Sequence, residues 1–179
     1  FITAKPNKRL SSKEIKEVSP ETNGDLPVIP QILTNNAEDF LWAAGELSDM
    51  GYGEVNLNLG CPSGTVAAKG KGSGFLAFPE ELEAFFDRVF SEPGMPRVSV
   101  KTRLGVEDPA EFAALLDIYR RFPISELIVH PRVRRDMYKL PARPEYFPED
   151  GPWPLCYNGD VFTAETASCL LYTSDAADD

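Results

Sequence analysis

Short apolar, β-branched runs recur along the chain, separated by stretches whose apolar residues return at helical spacing. The runs are Phe1-Ile2-Thr3, Val28 to Ile32, Glu54 to Asn58, Val98 to Thr102, Glu126 to His130 and Pro154 to Tyr157. Each is short and mostly apolar, the pattern of parallel strands buried on both faces. After Asn35-Asn36, which can cap, Phe40, Leu41, Ala44 and Leu47 line one helical face, and Gly51 can end the helix. Pro79 opens the next, with Leu82, Phe85, Phe86, Val89 and Phe90 on one side. Asp108-Pro109-Ala110-Glu111 reads as a capping box ahead of Phe112, Leu115, Leu116 and Tyr119, in a helix that must stop before Pro123. Ser11-Ser12-Lys13-Glu14 can start a shorter one.

Strand starts at 28, 54, 98, 126 and 154 are separated by 26, 44, 28 and 28 residues. Near-equal intervals predict βα repetition, of the barrel or the doubly wound kind. The long interval places its excess in one connection, Leu59 to Gly74, which is rich in glycine. A long loop at the C-terminal end of a barrel strand is where this architecture puts chemistry. The first residue is a Phe inside a strand, so the expected chain is truncated at its N-terminus.

Composition narrows the function classes. At 179 residues, 42% of them apolar, one domain with a real core is expected. No apolar run is long enough to span a membrane. Three cysteines (Cys61, Cys156, Cys169) without a CxxC pair argue against a zinc site or disulfide framework, and one histidine leaves no parts for a metal cluster. A reducing, cytoplasmic setting is the expected one. The net charge of −10 argues against a nucleic-acid partner until its distribution is considered. Pro131 to Arg143 holds Arg132, Arg134, Arg135, Lys139 and Arg143 against a single acid, Asp136, while the acids gather in the expected helices. Such clusters are either solvated helix faces or an electrostatic footprint.

Polar residues are expected at the strand ends: Gln31, Asn58, Lys101, Arg103, His130 and Asn158. Taken singly, each has an ordinary explanation as a snorkelling lysine, a bonded core histidine or a turn asparagine. Six on one rim are harder to dismiss, because buried polar groups are costly without partners. A planar, anionic, phosphate-bearing cofactor fits the ring, with Asn158-Gly159-Asp160 after the seventh barrel strand, where barrels often bind phosphate. Cys61 is either a small buried apolar residue or an accessible thiol. Its loop position beside Lys69 and Lys71 favours the thiol.

At Asn58-Leu59-Gly60-Cys61-Pro62, with the tail Lys69 to Leu76, the chain resembles the bacterial tRNA-dihydrouridine synthases. The resemblance continues through Val100-Lys101-Thr102-Arg103-Leu104-Gly105, Glu126 to Arg132 and Tyr157-Asn158-Gly159-Asp160. It implies a TIM (β/α)₈ barrel that binds FMN, followed by a small helical tRNA-binding domain. Strands two to seven would be present here, over residues 1–166, with the first and eighth strands and the helical domain missing and 167–179 a non-family tail. Reduced FMN, recharged by NADPH, would give hydride to C6 of a uridine in the tRNA D-loop, and Cys61 would supply the proton at C5. Matched positions would place Gln31, Lys101, His130 and Asn158 around FMN, with Gly159 and Asp160 in the phosphate loop. Asn58 and Arg103 would grip the flipped-out uridine, and Arg132 and Arg134 would lie near its phosphates. The resemblance implies no metal, and a monomer at full length. Thr65 departs from the family, which often has Lys there. The alternatives are another FMN barrel reducing a free pyrimidine, or a non-catalytic fragment; the chain as it stands is expected to be inactive.

Overall fold

The computed structural model describes residues 1–4, 7–24 and 26–167. Six strands form one parallel sheet in sequential order: β1 (Ile2–Thr3), β2 (Gln31–Leu33), β3 (Glu54–Leu59), β4 (Arg97–Arg103), β5 (Leu127–His130) and β6 (Leu155–Tyr157). Sequential order excludes the doubly wound alternative, whose strand order reverses at a switch point. It is the order of a (β/α)₈ barrel, and the chain forms a partial one. The tail expected over 167–179 lies, beyond its first residue, outside the described residues.

Helices fill the connections: α1 (Ser12–Val18), α2 (Pro20–Asn23), α3 (Ala37–Asp49), α4 (Gly64–Ala67), α5 (Pro79–Phe90) and α6 (Glu111–Tyr119). Their starts follow local hydrogen-bond chemistry. Ser11 and Glu14 close a reciprocal capping box at α1, and the Asn36 side chain accepts from Asp39 N at α3. Ahead of α6 the Glu111 carboxylate accepts from the backbone N of Val106, Glu107 and Asp108, while Asp108 Oδ1 accepts from Ala110 N. Half of the expected box is therefore built: Glu111 reaches back to Asp108 N, but the Asp108 side chain accepts from Ala110 N and not from Glu111 N, and the regular helix begins only at Glu111.

Register divides the sheet into two chemically opposite faces. Val55, Leu57 and Leu59 on β3, Val98 and Val100 on β4, and Leu127 and Val129 on β5 share one face and are buried with the helix residues in a single core. Phe40, Phe75, Phe86 and Tyr119 gather in that core around Phe85 and Phe86 in edge-to-face pairs 5.6–6.0 Å apart. Truncating one such ring, for example Phe86→Ala, removes about 3–5 kcal/mol. The other face carries Gln31, Asn56, Asn58, Ser99, Lys101, Arg103 and His130. A strand with one apolar and one polar face normally shows the polar one to bulk water. Here Asn56, Asn58, Ser99, Arg103 and His130 are all buried.

Two boundaries differ from the pattern. The run from Val28 yields a strand only from Gln31, because Pro27 and Pro30 have no N–H to give a ladder. Pro30 O still accepts from Asn56 N at 2.8 Å. The connection after β3 is also more ordered than a glycine-rich loop suggests. It winds through α4 and a 3-10 helix over Gly72–Ala77, in which Gly72 to Leu76 are buried. Gly74 is needed there for packing: a Cβ would lie 2.5 Å from Ala67 O.

Candidate active site

The buried polar face is a hydrogen-bonded lattice. Gln31 Nε2 donates to Asn56 Oδ1 at 2.8 Å, and Asn56 Nδ2 donates to Ser99 Oγ at 3.0 Å. One layer up, Asn58 Nδ2 donates to Gln31 Oε1 at 2.6 Å. Asn58 Oδ1 then accepts from Gly60 N at 3.0 Å and Cys61 N at 2.9 Å. Asn58 thus pins the start of the Cys61 loop to the sheet, and Ser73 closes it from the far end by donating N and Oγ to Cys61 O. Cys61 is half-buried and free of disulfide partners, in a tightly held turn at the start of the long connection.

Two cations on β4 meet different fates. Arg103 is 1% exposed and spends its guanidinium internally: Nε donates to Gly60 O at 2.9 Å, and Nη1 to Val133 O at 3.1 Å and Met137 O at 2.9 Å. Its Cζ also stacks 5.0 Å from the Tyr138 ring centroid. Burial holds its pKa below the usual arginine value. Lys101 lies one register step lower, half-buried, with no carboxylate paired to it among the described residues. Burial first, then the neighbouring Arg103, pushes its pKa down. Its Nζ would stand 4.0 Å from a Cβ on Gly60, so the bare glycine leaves room beside the amine.

At the ends of β5 and β6, His130 Nδ1 lies 2.5 Å from Asn158 O. Arg132 donates Nη1 to His130 Nε2 at 3.2 Å and forms a bidentate pair with Asp160 at 3.0 and 2.5 Å. Asp160 is held below the usual carboxylate range by that arginine. Gly159 has no room for a side chain, because a Cβ would meet the Tyr157 hydroxyl at 2.3 Å. Beyond, a groove of about 390 Å³ runs between the Cys61 turn (Pro62, Gly64) and Arg134, Arg135 and Met137. A cavity of about 170 Å³ lies toward the N-terminal ends of the strands, lined by Gln31, Asn56, Ser99, Glu126 and two isoleucines.

Of the expected site residues, Gln31, Asn58, Lys101, Arg103 and His130 share the polar face of the sheet, but not all of them at strand ends. His130 closes β5 and Asn158 follows β6, whereas Lys101 sits two residues inside β4 and Gln31 opens β2. Gln31 was expected at a strand end because the strand was expected to begin at Val28. Arg132, expected near phosphates, is 5% exposed and committed to Asp160. Arg134 and Arg135 remain at the surface, with only long pairings of 3.7 and 3.5 Å to Glu107. Sequence reasoning missed Asn56, Ser99, Asp136 and Tyr138. Period-two spacing from Asn58 and Lys101 could have found the first two. Asp136, buried and paired with Arg143, and Tyr138, edge-on to His130 at 5.7 Å, are placed by tertiary packing alone.

Among the described residues, no helix is long and apolar enough to cross a membrane. The dihydrouridine synthase family model matches residues 1–178. The chain is 36% identical over 121 residues to a Staphylococcus epidermidis protein named probable tRNA-dihydrouridine synthase, covering 68% of this chain and 36% of that protein. It is 34% identical over 153 residues to the probable tRNA-dihydrouridine synthase 2 of Bacillus subtilis, covering 81% of this chain and 46% of that one. The chain therefore spans less than half the length of these curated relatives. With three sequence motifs contributing to one buried polar face, a fourth bonded to it through the Asn158 carbonyl, and a family match along nearly its whole length, the chain belongs to the dihydrouridine synthase family.

Proposed function

We propose that the protein containing this chain reduces uridine in tRNA to 5,6-dihydrouridine, with FMN as its bound cofactor and NADPH as reductant. The observation that carries this reading is the half-buried, carboxylate-free Lys101 amine beside Gly60, one residue from a pinned Cys61. A buried cation without a counter-charge suits an anionic ligand, and a planar ring with phosphate supplies one. FMN, when bound, supplies the hydride that reaches C6 of the uracil. Lys101 would bind and charge-balance it, Gln31 would offer its remaining amide N–H, and Asn158 with Gly159 and Asp160 would border its phosphate. Cys61 Sγ would give its proton to C5, so that one hydride and one proton saturate the ring bond.

The substrate side follows from exposure. Asn58 and Arg103 would act on the uridine through the Cys61 turn they both hold, since neither has a free face toward solvent. Arg134, with Arg135, borders the groove beside Pro62 and would take tRNA phosphates. A D-loop uridine, a monomeric enzyme and a cytoplasmic setting complete the proposal.

The test uses the whole protein. Cys61→Ala should keep its flavin and its reduction by NADPH but lose dihydrouridine formation in tRNA by on the order of 10²-fold or more. Mass spectrometry of digested tRNA reads the product. Normal product formation by Cys61→Ala would make the thiol structural. Turnover of free uridine but not tRNA would favour the small-pyrimidine alternative.

A further inference from the structure

Of the five cations between Pro131 and Arg143, only Arg132 is buried. Its Nε donates to Leu140 O at 2.6 Å, Nη1 reaches His130 Nε2 and Asp160 Oδ1, and Nη2 donates to Asp160 Oδ2. On its other side, the His130 ring meets the carbonyl of Asn158. These two partners have opposite and fixed senses. A peptide carbonyl can only accept, so Nδ1 must carry the hydrogen. A guanidinium can only donate, so Nε2 must keep its lone pair. One protonation state satisfies both contacts: the neutral ring with hydrogen on Nδ1. An imidazolium would turn an N–H against the arginine.

We infer that Arg132, clamped by Asp160, is a positioning residue that keeps His130 neutral by donating to Nε2, while the Asn158 carbonyl holds the hydrogen on Nδ1, and that it ties the end of β5 to the loop after β6. The clamp joins three segments: the strand end, the Leu140 turn and the Asn158 to Asp160 loop. Every charged or titratable group facing the ring acts consistently with it. Lys101 and Arg103 on β4 and Arg132 after β5 are cations, and the Tyr138 ring packs in a T-shaped contact with centroids 5.7 Å apart. Asp160, the nearby acid, is consumed by Arg132 and by Ala142 N. Burial first and these cations next push the His130 pKa down to about 4, against the one raising influence, the Asn158 carbonyl. The tautomer rests on hydrogen-bond geometry alone. Its meaning for cofactor binding rests on the proposed function: His130 would meet a flavin as an uncharged ring, leaving Lys101 as the ionic contact.

A long-range ¹H–¹⁵N correlation spectrum of the protein, with the His130 signals assigned by their loss in His130→Gln, reads the ring directly. The expected wild-type spectrum has a protonated Nδ1 and an unprotonated Nε2, unchanged from neutral pH to about pH 5, with a midpoint near 4. A wild-type Nε2–H tautomer, or a midpoint near 6.5, overturns the inference before any variant is made. Arg132→Met should keep Nδ1–H, which the Asn158 carbonyl still demands, but let Nε2 take up a proton and move the midpoint toward 6.5, while Arg132→Lys restores the charge but not the bridge and should fall between. Should Arg132→Met fail to fold, Arg132→Lys, which keeps a cation for Asp160, carries the test with a midpoint above that of the wild type. A midpoint unchanged in the folded variants shows that Arg132 does not keep the ring neutral, and leaves the proposed reaction standing. Loss of the proposed tRNA activity with the tautomer as expected would do the reverse.

Discussion

Removing Arg103 should unlock the Cys61 turn and cost the fold a large share of its stability. The guanidinium is 1% exposed and serves three backbone carbonyls, those of Gly60, Val133 and Met137. A hydrogen bond to a charged group contributes roughly 1.5–3 kcal/mol, and a carbonyl left buried and unpaired costs about 1–3 kcal/mol. The three bonds share one cation, and Met137 is 37% exposed, so water can replace that donor. Val133 is 1% exposed and offers no such relief. Arg103→Ala should therefore lose about 3–5 kcal/mol, within the range for breaking a buried charged cluster. For a chain of this size that is a Tm drop of about 6–20 °C. Circular dichroism melts measure it, and peptide-resolved thiol labelling reads the loop: Cys61 should label faster once the Gly60 carbonyl is released. Arg103→Lys can reach one acceptor direction and should fall between the two. A Tm change under about 3 °C, with Cys61 labelling unaltered, would refute the bracing role.

Three further outcomes follow from the same charges. Lys101→Met should leave the cofactor-free chain as stable as before or more so, because an uncompensated half-buried cation is removed, yet abolish flavin uptake; a large loss of stability would mean the amine is internally satisfied. Affinity of the whole protein for tRNA should fall with salt, with Arg134→Ala and Arg135→Ala each flattening the log–log slope by somewhat under one unit. Arg132→Met should leave that slope alone, and unchanged slopes in the first two variants would remove them from the RNA contact. For His130 the native pKa of about 4 lies below the ordinary 6.5, so the unfolded chain takes up the proton first as pH falls. Urea midpoints should therefore decline between pH 6.5 and about 4 and then lose this contribution to the slope, and His130→Asn should remove that part of the decline.

The strand and helix alternation was legible because both periods are strong here. Parallel strands whose outer row is apolar except for the buried Thr102 announce themselves, and α5 repeats Leu82, Phe85, Phe86 and Val89 without interruption. The start of β2 was misplaced because Val28 and Ile29 have strand composition, while the two flanking prolines control hydrogen bonding, which apolar composition does not register. The glycines of the Cys61 connection read as those of an ordinary long loop. In the fold they are clearance: Gly72 and Gly74 pass too close to Cys61 and Ala67 for any Cβ. Composition cannot separate these two uses of glycine, since both remove the same side chain.

The site was legible as a set and misread in its parts, and the reason is the difference between a polar residue and an available one. Lys101 and Arg103 lie two positions apart on β4, on the same face, and sequence gives them equal claim to a ligand. Arg103 has five donors in a planar fork and finds three carbonyls and an aromatic ring within the chain. Lys101 is a point charge beside a bare glycine and finds no carboxylate. The same division recurs across β5, where Arg132 is locked to Asp160 while Arg134 and Arg135 hold Glu107 only loosely. In each neighbourhood the buried arginine fixes loops and the less constrained cation has its charge less fully met within the described residues. Asn58 belongs with the first group, since its amide joins Gln31 to the Cys61 turn. The arrangement thus separates rigid scaffold from unspent charge residue by residue, and the unspent charge converges on the turn that carries Cys61.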